Sequence, residues 1–237
     1  MRYCFGIIYS LLIVVALSGC MGQELEASQS HIAYQSQLDE VQSAVLDYKK
    51  DTGVLPILNS SEHTPIYEKY RIDFKRLVPE YMSEPPSNAY SKGGYFEYVL
   101  IHPEKNPQVK VFDLTLVNKV QEIEQQIQDY RYNKGYSPLG GVITEKRYKI
   151  DFKDLGYTKP PTVTSPYSGK PLGFIMDNHS HVYINYLPDI KRAYKKYKND
   201  VHEGEDLREL LAKHSLYVPV KSLPYTVKNN RIVFLVK

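Results

Sequence analysis

Tyr70-Arg71-Ile72-Asp73-Phe74-Lys75-Arg76-Leu77 returns later in the chain as Tyr148-Lys149-Ile150-Asp151-Phe152-Lys153-Asp154-Leu155. Other blocks recur around it in the same order. Asp47-Tyr48 through Gly53 and Pro56 is answered by Asp129-Tyr130 through Gly135 and Pro138, Pro85-Pro86 by Pro160-Pro161, and Ala89-Tyr90-Ser91 by Pro166-Tyr167-Ser168. Matched blocks in conserved order, with a slowly drifting offset, read as a tandem repeat with small loop insertions.

Each unit opens on a helical period. Leu38, Val41, Val45 and Tyr48 are spaced three, four and three apart, as are Val120, Ile123, Ile127 and Tyr130, which lines one face of an α-helix. Gly53 and Gly135 then suit a left-handed helix stop, and Pro56 and Pro138 block continuation. Asp73 and Asp151 precede short apolar runs and suit N-caps, each carboxylate accepting from backbone N–H groups. The functional alternative makes them paired catalytic carboxylates. Capping is preferred because each Asp stands where its own short helix needs it. Past the Pro-Pro turn, 94–101 and 109–114 flank a polar turn, as do 172–176 and 181–186, which is a hairpin signal.

A shortened third copy closes the chain. Leu187, Ile190, Tyr194 and Tyr197 repeat the spacing, 206–210 resembles the short helix, and 225–236 reads as a hairpin turning at Asn229-Asn230. The predicted class is α+β, with units at 34–114 and 115–186 and a shortened module at 187–237.

The N-terminus carries a different signal. An apolar run from Phe5 to Leu17 follows Arg2 and ends in Leu17-Ser18-Gly19-Cys20, the order of a secretory signal peptide. The run is short for a membrane span, which needs about 20 residues, and the chain turns polar directly after Cys20. With Cys at the cut it resembles the lipobox of bacterial lipoproteins. That resemblance implies removal of 1–19, a diacylglycerol on Cys20, a location on the extracytoplasmic face of the cell membrane, and a polar tether over 20–33, with folding expected to begin near Tyr34.

The two cysteines are Cys4, inside the leader, and Cys20, so the mature chain has no thiol for a disulfide or a thiolate metal site. Net charge is +3, too balanced for a nucleic-acid binder that neutralises phosphates with clustered Lys and Arg. The repeat unit is similar to the globular part of type II secretion pseudopilins, without their long hydrophobic N-terminal helix. The whole layout resembles the YphF-like lipoproteins of spore-forming Firmicutes. This second resemblance implies the anchor and the repeats and brings no activity with it.

The sequence holds no GxSxG elbow, HExxH, P-loop or GxGxxG, and no catalytic residue, metal ligand set or cofactor is expected. His179 and His181 form the only close histidine pair, with Asp177 beside them, at a predicted turn where solvation is preferred over metal binding. His202-Glu203-Gly204-Glu205-Asp206 reads as a polar linker. Among 22 tyrosines and no Trp, Tyr48/Tyr130/Tyr197, Tyr70/Tyr148 and Tyr90/Tyr167 recur at equivalent places, as packing would impose. Tyr132 and Tyr136 have no counterpart and are the candidate contact surface. The sequence therefore suggests a non-enzymatic interaction or scaffold protein, held to the membrane and facing an envelope protein partner. The alternatives are a solute-binding lipoprotein of an ABC transporter and, behind it, a cell-wall hydrolase.

Overall fold

A computed structural model describes residues 21–235, with side-chain surroundings from Tyr34 onward. The leader 1–19 and the expected lipid attachment at Cys20 lie outside the described residues. The fold is α+β, helices packing on antiparallel sheets.

Helix α1 spans Met21–Thr52. Its backbone starts earlier than the apolar spacing suggests, so the stretch expected as a tether is helical from Met21. Leu38, Val41, Ala44 and Val45 are buried on its inner face. Gly53 ends it with φ 76°, its N–H donating to the Lys49 carbonyl at 2.9 Å. A four-residue helix, α2 (Ile66–Lys69), precedes the hairpin β1 (Phe96–Ile101) and β2 (Gln108–Asp113).

Helix α3 (Leu114–Lys134) follows at once. Asp113 caps it, accepting from Thr115 N at 2.7 Å, and Gly135 stops it at φ 81°. Val120, Ile123 and Ile127 are fully buried. A sheet in the order β3-β4-β7-β8 comes next, made of β3 (Leu139–Thr144), β4 (Arg147–Ile150), β7 (Phe174–Asp177) and β8 (Val182–Ile184). The small pair β5 (Val163–Thr164) and β6 (Pro171–Leu172) sits between. Helices α4 (Leu187–Tyr197) and α5 (Arg208–Lys213) and the hairpin β9 (Tyr225–Lys228) with β10 (Arg231–Phe234) complete the chain. Asn229 and Asn230 both take positive φ in that last turn, as a tight primed hairpin turn demands.

Three aspartates that the sequence matches cap their turns in the same way. Asp73 Oδ1 accepts from Lys75 N at 3.2 Å, Asp151 Oδ1 from Lys153 N at 3.0 Å, and Asp206 Oδ1 from Arg208 N at 3.1 Å. The N–H groups of Asp73 and Asp151 each donate at 2.8 Å to the carbonyls of Pro56 and Pro138. The first short helix is only a 3-10 turn, Phe74–Arg76, and the second a run of turns after Asp151. The equivalence breaks at one tyrosine pair, since Tyr90 is exposed while Tyr167 is half-buried.

The β1–β2 hairpin is buried on both sides. Tyr98, Leu100, Val109 and Val111 face the core under α1, whereas Val99, Ile101 and Phe112 face the core shared by α3, β7, β8 and α5. Period-2 alternation sends neighbours to opposite faces, so one strand pair walls off two cores and ties them together. Segment 216–221 adds a second tie. Val111 N donates to the Leu216 carbonyl and Val218 N to the Val111 carbonyl, both at 3.0 Å, while Ile184 N donates to the Lys221 carbonyl at 2.9 Å. The segment thus lies along β2 and then along β8, closing an edge of each sheet.

Candidate functional site

The outer edge of the larger sheet is β3, whose only strand neighbour among the described residues is β4. All six of its residues, Leu-Gly-Gly-Val-Ile-Thr, are exposed, Val142 at 73%. The pairing with β4 slips between Leu139 and Gly141 and again between Val142 and Thr144. An uncharged apolar edge strand displays unpaired backbone groups and is a template for another strand, and bulges are one device that limits such pairing. Gly140 lies close against β4: a Cβ would approach the Ile150 carbonyl oxygen to 3.0 Å, so the neighbouring backbone would have to give by a few tenths of an ångström.

Tyr132 and Tyr136 stand just upstream of this strand. Tyr132 is 92% exposed and Tyr136 is 61% exposed, its ring edge-on to Tyr130 with centroids 5.7 Å apart. Tyr130 donates to Asp154 Oδ2 at 3.0 Å. Together with Leu139, Val142 and Ile143 they make a run of exposed large apolar side chains from 132 to 143. The sequence pointed to the two tyrosines because they lack repeat partners. It gave no sign of β3, since two glycines and the absence of polar alternation hide the strand.

Asp177, His179 and His181 do come together, as a braced turn between β7 and β8. Asp177 Oδ1 accepts from the backbone N–H of His179 at 2.8 Å and of His181 at 2.9 Å. Oδ2 meets His181 Nδ1 and the Tyr183 hydroxyl, each at 3.1 Å. Burial pushes this carboxyl up, but the donors outweigh it and hold it below the usual range. Ser180, at φ 69°, places its hydroxyl 2.8 Å from that of Ser137, tying the turn to the loop that carries Tyr136. Among the described residues no group of three His, Cys, Asp or Glu is placed to hold a metal ion.

Asp73 and Asp151 line none of the principal cavities, and each is engaged with its own turn. A cavity of about 550 Å³ lies between α2, the β1–β2 turn and α5. Its walls are mostly apolar, with Tyr67, Tyr70 and Leu100. Glu209 Oε1 meets His102 Nε2 at 2.8 Å, and Oε2 accepts from the Tyr67 hydroxyl at 3.4 Å. Burial, then the Glu209 charge, pushes the Tyr67 phenol well above its ordinary value. No Ser, Thr or Cys lines this cavity. The His–Glu pair fastens the hairpin turn to α5. His202 donates its backbone N–H to Glu205 Oε2 at 2.8 Å, which makes that segment a self-bonded loop.

Residues 34–113 match the YphF family N-terminal domain. This relates the segment from the first described side chain of α1 to the end of β2 to that family. No curated protein and no solved structure matches the chain.

Proposed function

We propose that the chain is an extracytoplasmic lipoprotein, anchored through diacylglycerol on Cys20, that works as a non-enzymatic interaction protein of the cell envelope. Its partner is a protein that lays an extended segment along β3, with Tyr132 and Tyr136 at one end of the contact. The observation that carries this reading is the exposed, uncharged edge strand continuous with two exposed tyrosines. Strand addition draws affinity from main-chain hydrogen bonds and specificity from alternate side chains, and tyrosine is enriched where protein interfaces bury their cores. The anchor is supported by the Leu17-Ser18-Gly19-Cys20 run, and two acyl chains are what stable membrane attachment requires. Among the described residues no helix is long and apolar enough to cross a membrane.

The test replaces Val142 and Ile143 by Lys. Both are exposed, so the fold is expected to change by no more than about 0.5 kcal/mol, while the partner is lost from material cross-linked in intact cells. Unchanged cross-linking overturns the docking assignment. Metabolic labelling with a fatty-acid analogue tests the anchor separately: Cys20→Ala abolishes the label, and retained label overturns the lipoprotein assignment. A second reading, a solute-binding lipoprotein of an ABC transporter, is favoured by the apolar 550 Å³ cavity beside Tyr67. It predicts that blocking this cavity with Ile66→Trp, at an exposed lining position, removes function while the two Lys substitutions on β3 do not.

A further inference from the structure

A second hollow, of about 470 Å³, opens between α4 and α5, with the Asp189 carboxylate and several basic side chains in its walls. Arg192 and Lys196 reach it from α4 and His214 from the end of α5, and Tyr167, Tyr197 and Tyr217 give it aromatic walls. The imidazole of His214 stacks on Tyr197 with centroids 3.7 Å apart and planes within 6°. The Lys196 ammonium sits 5.0 Å from the centre of the same Tyr197 ring.

Positive charge converges here from three elements. Lys110 reaches over from β2 and donates to the Ser215 carbonyl at 2.6 Å. Burial, then the fields of Lys213, Lys196 and Lys110, hold His214 below its ordinary value, with Asp200 opposing them. On α4, Lys191, Arg192, Lys195 and Lys196 are all exposed, and among the described residues Arg192 alone of these makes an ion pair, with Asp189 at 2.7 Å. Asp189 is itself fully engaged, accepting from the hydroxyls of Ser165 at 2.8 Å and Ser168 at 2.7 Å. It holds Arg192 in place without neutralising the rest. Like charges gathered around a concave aromatic surface repel one another, and a bound anion relieves that repulsion.

We propose that this hollow binds a phosphate ester, its oxyanion held by Arg192, Lys196 and His214 and its organic part laid against Tyr167, Tyr197 and Tyr217. Two cations from α4 and the N–H of the His214 imidazole from the end of α5 suit the oxygens of a tetrahedral phosphate. A planar carboxylate would be satisfied by one guanidinium fork, and that of Arg192 is already shared with Asp189. The site does not depend on β3 or on the partner assigned to it.

The same chemistry is offered by a soluble ester and by a phospholipid headgroup, so the test has two arms. The full chain in nonionic detergent is titrated calorimetrically with glycerol phosphate, and separately with mixed micelles containing phosphatidylglycerol or phosphatidylcholine. Saturable binding of glycerol phosphate identifies a free ester; binding of phosphatidylglycerol micelles alone identifies a headgroup. Either result supports the site if Lys196→Gln with His214→Gln weakens binding at least about tenfold while Lys191→Gln, which removes from outside the hollow the same single charge as Lys196→Gln, weakens it less than about twofold. Lys196→Gln alone is run alongside, in case loss of the imidazole stack disturbs folding. No binding in either arm, equal affinity for phosphatidylcholine, or equal loss from the hollow substitutions and from Lys191→Gln overturns the proposal.

Discussion

The β1–β2 hairpin makes the two halves of the protein one cooperative unit, and truncating either of its faces should weaken both. Leu100, 1% exposed, points into the core under α1; Phe112, 4% exposed, points into the core of α3, β7 and β8. Leu→Ala in a packed core costs about 2–5 kcal/mol and Phe→Ala about 3–5 kcal/mol, transfer and cavity terms together. Leu100 borders the cavity beside Tyr67, where space already exists, so its cost belongs near the lower end. With a urea m-value of about 3 kcal/mol per molar at most for small proteins, a loss of ~3 kcal/mol moves the midpoint by about 1 M or more. The chain has no Trp, so a single introduced indole reports on one half at a time. Tyr48→Trp reads the α1 core, and Tyr194→Trp reads the other, each replacing a half-buried ring packed on its core. The expectation is that Leu100→Ala and Phe112→Ala each lower the midpoint seen by both reporters equally. If each substitution moves only the reporter in its own half, the hairpin is not a shared wall and the reasoning fails.

Two further predictions concern the charged groups. The Asp177 carboxyl, held below its usual range, stabilises the fold above its unfolded-state value, and that contribution disappears as the pH falls through its folded-state value. Asp177→Asn keeps acceptors for the backbone donors but loses the charged contacts to His181 and Tyr183. It should cost about 1.5–3 kcal/mol at neutral pH in urea unfolding, and the difference from wild type should shrink below about pH 4; a difference independent of pH would contradict this. Asp189→Ala leaves Arg192 without its buried partner and two serine hydroxyls without an acceptor. Arg192 is exposed and loses little, so a drop of about 1–3 kcal/mol is expected from the hydroxyls left unsatisfied, and no measurable drop would show that the Ser165–Asp189–Ser168 cluster contributes little.

What could be seen in the sequence was local. Three-four-three spacings, Gly53 and Gly135 as left-handed stops, Asp73 and Asp151 as turn caps, and Asn229-Asn230 as a hairpin turn all depend on neighbours within a few residues. The start of α1 was less visible because 21–33 has no apolar period, although its Glu, Gln, Leu and Ala residues favour helix. Long-range features left no such trace. Segment 216–221 pairs with β2 and β8 across most of the chain, and nothing in Leu-Tyr-Val-Pro-Val-Lys names its partners. The β3–β4 turn also escaped notice, since it uses Lys146 at φ 61° in place of the Asn or Gly that marks a hairpin. At the candidate site, Tyr132 and Tyr136 stood out by breaking the repeat. The hollow was hidden because overall charge is nearly balanced and its polar walls come from α4, the end of α5 and the segment after it.

The central claim is that β3 receives a strand from an envelope partner, and the most direct measurement places a photo-cross-linking amino acid at Val142 in the full chain in living cells. The account predicts one discrete adduct at Val142, lost when Ile143 and Tyr136 are also replaced by Lys and Ala, and no such adduct from the same probe at Lys228 on the distant β9. No adduct at Val142, or the same adducts from both positions, would contradict it.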